Sequence, residues 1–196
     1  MTLADYEVLE APAPYRWTVE DFFRASELGL FEGQHVQLIE GEIIDMPAQK
    51  DPHAWTVSQL VDVLRDFFPK PHWIKIQATL VLGEYSAPEP DVSLLSGPPC
   101  PPAVVAPETL LVIEVSETTL RYDRGRKASL YASKQILDYW VVDVLGKQVE
   151  VFRDPVPDKS QKYGWRYNSV KPFGLQEQVT PLVSPDISIP IASFLG

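Results

Sequence analysis

The chain has 196 residues, 45% of them apolar and 22% charged, ordinary values for one globular domain and far from those of a disordered chain. A formal net charge of −10 argues against a protein that grips nucleic acid over its whole surface, and a single cysteine, Cys100, rules out an internal disulfide and fits a reducing cytosol. The N-terminus has no basic region leading into an apolar run, and no stretch approaches membrane-spanning length, so a cytoplasmic protein with no membrane partner is expected.

Residues 1–14 show no clear periodicity and read as an arm, with a single domain over 15–196. "TVEDFFRASELG" reads as a helix with Thr18 as N-cap, Asp21 completing a variant capping box and Gly29 ending it. Phe22, Phe23, Leu28 and Ala25 are its expected buried face. "VQLIEGEIIDM" (36–46) has the pattern of a hairpin turning at Glu40-Gly41. In "PHAWTVSQLVDVLRDFF" (52–68), Val57, Leu60, Val61 and Leu64 follow the i, i+3, i+4, i+7 spacing of an amphipathic helix, and Pro69 and Pro71 close it.

Three strand-like runs follow, "WIKIQATLVL" (73–82), "DVSLL" (91–95) and "TLLVIEVS" (109–116). The proline-rich stretch 96–107 between the last two is expected to be a surface loop. Leu110 to Val115 is apolar except for Glu114, as in a central strand buried on both faces. "YDRGRKASLYASK" reads as a helix, with Asp123 as its cap or as an i,i+4 partner of Lys127. "DYWVVDV" and "KQVEVF" should pair through Leu145-Gly146, with Tyr139 and Trp140 as strand core, and the proline-containing tail should add edge strands. Helices and strands interleave, which predicts an α/β or α+β domain around a mixed sheet.

Residues 121–134 concentrate five basic side chains, Arg121, Arg124, Arg126, Lys127 and Lys134, against the single acid Asp123. Such a helix could present a phosphate-facing strip on an otherwise acidic protein. In "PEPDVSLL" (88–95), Pro90 fixes its own φ and restricts its neighbour, so Asp91 is aimed at the mouth of a strand; an ordinary turn is the alternative. Glu114 is costly in an apolar strand unless it is paired, bound to a cation or reaching solvent. Asp91 and Glu114 at neighbouring strand ends could hold a hard divalent ion, Mg²⁺ or Mn²⁺, and the carbonyl of Val115 could add a ligand. Helical side chains lean toward the N-terminus, so Lys127 would point toward Glu114 unless it is simply solvated.

"PEPDVSLL" followed by "LVIEVSETTLRYDRGRKASLYASKQILDYWVVDV" resembles the Uma-type endonuclease family, within the restriction-endonuclease-like PD-(D/E)xK superfamily. The upstream "VQLIEGEIIDM", "PHAWTV" and "IKIQATLVLGEYSAPEPD" resemble it too, so the likeness covers roughly residues 15 to 195. It implies a mixed sheet flanked by helices, Asp91 and Glu114 as metal ligands, and hydrolysis of a phosphodiester. The superfamily's lysine stands two residues after the glutamate, where this chain has Ser116, and the resemblance then points to Lys127 on the next helix. Many relatives carry a glutamate where this chain has Gln37, so an acidic ligand from the first hairpin must be Glu42, ranked first, or Glu40, or be absent. Gln77 and His53 match family-like segments and could line the site.

These readings favour a Mg²⁺-dependent nuclease acting on DNA, with Asp91, Glu114 and Lys127 as its catalytic set. A homodimer would suit duplex cutting. Two rivals stand beside it. One is a nucleic-acid or protein-binding module on a degenerate nuclease fold, and the other a metal-dependent hydrolase of a small phosphorylated molecule. Three scattered histidines and one cysteine exclude an ordinary structural zinc site.

Overall fold

The computed structural model describes residues 13–100 and 108–196. Nearly all of the expected arm and the second half of the proline-rich loop therefore lie outside the described residues.

Helix α1 (Val19–Glu27) begins as its sequence predicts. Thr18 accepts the N–H of Asp21 at 3.1 Å while its hydroxyl donates to Asp21 Oδ2 at 2.8 Å, and Gly29, at φ +82°, ends the helix in the left-handed region. Its buried face is narrower than expected. Only Phe22 is buried, against Leu38 and Ala87, whereas Phe23 and Leu28 are 37% and 81% exposed. The helix touches a small satellite core rather than the main sheet, so one apolar side chain suffices.

Strands β1 (Val36–Ile39) and β2 (Glu42–Asp45) form the hairpin, turning at Glu40 and Gly41 with φ of 49° and 81°. Two consecutive positive φ values match the twist of the strands they join. Helix α2 (Asp51–Phe67) then buries Val57, Leu60, Val61 and Leu64 on the sheet, each contributing roughly 1.5–3 kcal/mol by burial.

The six-stranded sheet runs in the order β3 (Trp73–Ile76), β4 (Val92–Leu95), β5 (Thr109–Ser116), β6 (Asp138–Asp143), β7 (Gln148–Pro157), β8 (Trp165–Gly174). All neighbours are antiparallel except β5 and β6. A parallel pair needs a crossover, supplied here by α3 (Leu120–Tyr122), a π-helical turn (Asp123–Lys127) and α4 (Ala128–Ser133). The run 73–82 stops being a strand at Ile76. Gln77 takes φ +44°, and Leu80 and Leu82 bond instead to Pro88 and Ser86. In the tail, β8 is the sheet's edge strand, while β9 (Gln178–Val179) and β10 (Ile189–Pro190) form a separate pair before α5 (Ala192–Leu195).

Two cores sandwich the sheet. One packs α2 and α5 against Leu111, Ile113 and Val115, and the other packs α4 against Val112, Tyr139 and Val141. Trp140 and Tyr139 are fully buried, one in each core. No described helix is long and apolar enough to cross a membrane.

Candidate active site

Alternation along β5 sends Ile113 and Val115 into the α2 core and leaves Glu114 on the opposite face with Val112. Val92 lies opposite Ile113 in the antiparallel register, and one step further sets Asp91 opposite Glu114. The two carboxylates therefore share a face at the end of two central strands. Asp91 Oδ2 accepts the N–H of Val115 at 2.8 Å, which fixes the side chain that Pro90 aims.

The crossover supplies the rest. Asp123, Lys127 and Tyr131 fall four residues apart and face β5 together. Lys127 Nζ lies 2.8 Å from Glu114 Oε1 and 3.8 Å from Asp123 Oδ1, and Tyr131 donates its hydroxyl to Glu114 Oε1 at 2.7 Å. Asp123 is not the N-cap of the crossover helix but the i,i+4 partner of Lys127. It sits one turn inside, where its Oδ2 accepts the hydroxyls of Ser116 and Thr119, both at 2.6 Å. Ser116, two residues after Glu114, thus holds Asp123 with its hydroxyl, and the ammonium beside Glu114 comes from Lys127 on the crossover.

This cluster is buried. Glu114, Asp123 and Lys127 are each 2% exposed and Asp91 is 6% exposed. Burial pushes the Glu114 carboxyl up to about 8, with Lys127 pulling down and Asp123 and Asp91 pushing further up. Burial alone would lower Lys127, but Glu114 and Asp123 outweigh it and hold the ammonium above its ordinary value. His53 places Nε2 3.1 Å from Asp91 Oδ1 and leaves Nδ1 without a protein partner. Its burial lowers its pKa, yet Asp91, Glu114 and Glu117 together raise it.

Asp91, Glu114, Asp123, Lys127 and His53 line one cleft of about 60 Å³. A single water needs roughly 10–15 Å³ by the same measure, so there is room for a small hydrated ion's waters. Among the described residues no group of three or more His, Cys, Asp or Glu side chains is arranged to hold a metal ion. A pair of hard carboxylates beside open volume nevertheless suits Mg²⁺, which commonly takes one or two protein carboxylates and fills its octahedron with water and phosphate.

Not every expected residue arrives. Glu42 is directed away: its carboxylate meets Arg126 and, at 3.6 Å, Lys162, because it follows the hairpin turn on the outer strand. Glu40 binds Lys134 at 2.6 Å and Arg16 at 3.4 Å. From this hairpin segment Gln37 and Met46 line the cleft, Gln37 accepting the N–H of Glu89 at 3.3 Å. Gln77 reaches Asp91 Oδ1 at 3.4 Å and Gln49 at 2.6 Å. Gln49, Lys50, Thr119 and Tyr131 escaped the sequence reading. Of these only Tyr131 had a usable signal, the four-residue spacing from Asp123 and Lys127.

The family model for Uma2, described as "Putative restriction endonuclease", matches residues 19–192. Among solved structures, a crystal structure described as a putative nuclease belonging to DUF820, from Anabaena variabilis, shares 17% sequence identity at a TM-score of 0.66. That match covers 91% of this chain and 97% of the other. At this identity the likeness speaks for the fold. Among curated proteins none matches.

Proposed function

The chain belongs to the Uma2 family, and from that premise we propose that it is a nuclease that hydrolyses DNA phosphodiester bonds with Mg²⁺ or Mn²⁺. The observation that supports this most is the meeting of Asp91, Glu114 and Lys127 in one buried cleft. Asp91 and Glu114 would hold the ion, which when bound supplies Lewis acidity at phosphorus and a more acidic water.

The chain's own residues have separable tasks. The Val115 N–H and His53 keep the Asp91 carboxylate turned into the cleft, and Tyr131 does the same for Glu114. Lys127 is held charged by Glu114 and Asp123, so it is a poor proton acceptor. Its role is to stabilise negative charge developing on the phosphate, an effect magnified where the surroundings are of low dielectric. Ser116 acts through Asp123 and needs no contact with substrate.

The test is nicking of supercoiled plasmid with Mg²⁺ or Mn²⁺. Lys127→Met should slow cutting by about 10²-fold or more, as for other lost charge-stabilising donors, and Ser116→Ala should cost far less. Cutting by Lys127→Met at the wild-type rate would remove the lysine from the mechanism. Metal binding has its own readout. Millimolar Mg²⁺ should raise the melting temperature of the wild type, and Asp91→Asn should abolish most of that gain.

One observation favours the non-cleaving alternative. Glu114 is already bonded to Lys127 and Tyr131, and Asp91 to Val115 and His53, so the network satisfies itself. If no DNA or RNA is cut and Mg²⁺ leaves the melting curve unchanged, the cluster is a structural one and a binding module is the better reading.

A further inference from the structure

Phosphate contacts usually dominate the affinity of nucleic-acid binders. Here they are scarce. Four of the five basic side chains of segment 121–134 are spent on carboxylates: Arg124 on Glu150, Arg126 on Glu42, Lys127 on Glu114 and Lys134 on Glu40. The expected phosphate-facing strip is therefore largely neutralised, and a substrate for this cleft must be gripped in another way.

A second, wider groove of about 540 Å³ lies against the cleft. His35 and Glu89 line both, and their side chains meet at 3.3 Å, so the two spaces share one wall. Glu89 stands two residues before Asp91. Phe22, Phe23 and Phe31 line the groove, with Phe22 and Phe31 centroids 5.5 Å apart at 34° and Phe22 and Phe23 5.8 Å apart at 43°. Phe23, on the solvent side of α1, is 37% exposed. Gln34 and the acids of the groove offer hydrogen-bond partners to a neutral heterocycle and repel a phosphate.

We infer that this groove receives one unpaired nucleobase of the substrate strand, next to the phosphate bound in the cleft, so that single-stranded or locally opened nucleic acid is the preferred substrate. The inference rests on the nuclease reading for the neighbouring phosphate. The base recognition itself stands on the aromatic lining, the absence of lysine and arginine among the groove's side chains and the wall shared with the cleft. Aromatic stacking of this kind is tolerant of sequence, because every base has a π-face.

The experiment is fluorescence anisotropy of labelled oligonucleotides in EDTA, with cleavage of the same oligonucleotides in Mn²⁺ read separately. Single strands should bind about tenfold or more tighter than the matching duplex, and one abasic position should weaken wild-type binding by about tenfold. Phe23→Ala, at a half-exposed position that folding should tolerate, should cost a similar factor and make binding insensitive to the abasic position. Ser26→Leu, which narrows the groove one turn further along α1, should reproduce the loss. Equal affinity for duplex and single strand, unchanged binding by both variants, or no binding of any oligonucleotide would each overturn the inference. If cleavage occurs while the variants bind like wild type, the nuclease reading survives and the base pocket does not. If groove-dependent binding occurs without any cleavage, the base pocket survives and the nuclease reading does not.

Discussion

At the scale of single residues, Glu114 is held between opposing influences, burial pushing its carboxyl up and Lys127 pulling it down. It is the one acid in an otherwise apolar central strand, 2% exposed, with its carboxyl pushed up to about 8 by burial. A folded-state pKa above the ordinary 4.5 means that the folded chain binds this proton more tightly than the unfolded one. The associated stability is present in full below about pH 4.5 and is lost as pH rises through about 8. Glu40 and Glu42, whose pKa values are lowered, push the total in the opposite direction, so the whole-protein curve does not isolate the effect. A comparison does. In EDTA, wild type should lose stability relative to Glu114→Gln between pH 5 and pH 8, with a slope of up to about 1.4 kcal/mol per pH unit, measured by urea unfolding at each pH. Parallel curves for the two proteins would show that Lys127 keeps Glu114 ionised throughout.

At the scale of elements, the hairpin walls the cleft and the crossover brings Lys127 to it, and their glycines should respond in opposite ways. Gly41 sits at φ +81°, and a Cβ there would lie 2.8 Å from Cβ of Arg16, so Gly41→Ala meets both backbone strain and a steric clash. Gly125, in the π-helical turn, is at ordinary φ and has open space where a Cβ would go. Gly125→Ala should therefore stabilise by roughly 0.5–1 kcal/mol, while Gly41→Ala should destabilise by more than that, both read from thermal melts. Elements of this kind differ in how far the sequence displays them. The hairpin, α2 and β5 were legible because their signals are local: a Glu-Gly turn, a 3.6-residue period, an unbroken apolar run. The early end of β3 was not, because "IKIQATLVL" has strand propensity throughout and only the tertiary pairing of Leu80 and Leu82 with the 86–88 segment draws it out of the sheet. Asp91, Glu114 and Lys127 were legible as a set from strand ends and helix lean. The destination of Glu42 was not, since its partners Arg126 and Lys162 lie far along the chain.

At the scale of the whole molecule, 17 basic residues stand against 27 acidic ones, and neither 1–12 nor 101–107 contains a lysine or arginine. Every basic side chain is thus among the described residues. Beyond the neutralised crossover, Arg153 is bound to Asp138 and Arg166 to Asp158. Lys50 and Lys127 are the lysines lining the cleft, and Lys127 already faces two carboxylates. Arg24, Lys70, Lys75, Arg121, Lys147, Lys159 and Lys171 line neither the cleft nor the groove, so binding confined to those two spaces neutralises about one or two phosphates. For a single strand the slope of log affinity against log salt is about −0.7 per phosphate, so raising salt from about 50 to 200 mM should weaken binding by less than about tenfold. A protein making six to ten phosphate contacts to duplex DNA loses about 10³- to 10⁵-fold over the same range. Anisotropy titrations at several salt concentrations distinguish the two regimes directly. A steep loss would mean that phosphates reach basic side chains outside the cleft and groove, such as Arg121, or draw Arg124, Arg126 and Lys134 from their carboxylates. A shallow one would place the binding energy in the aromatic groove and the cleft beside it.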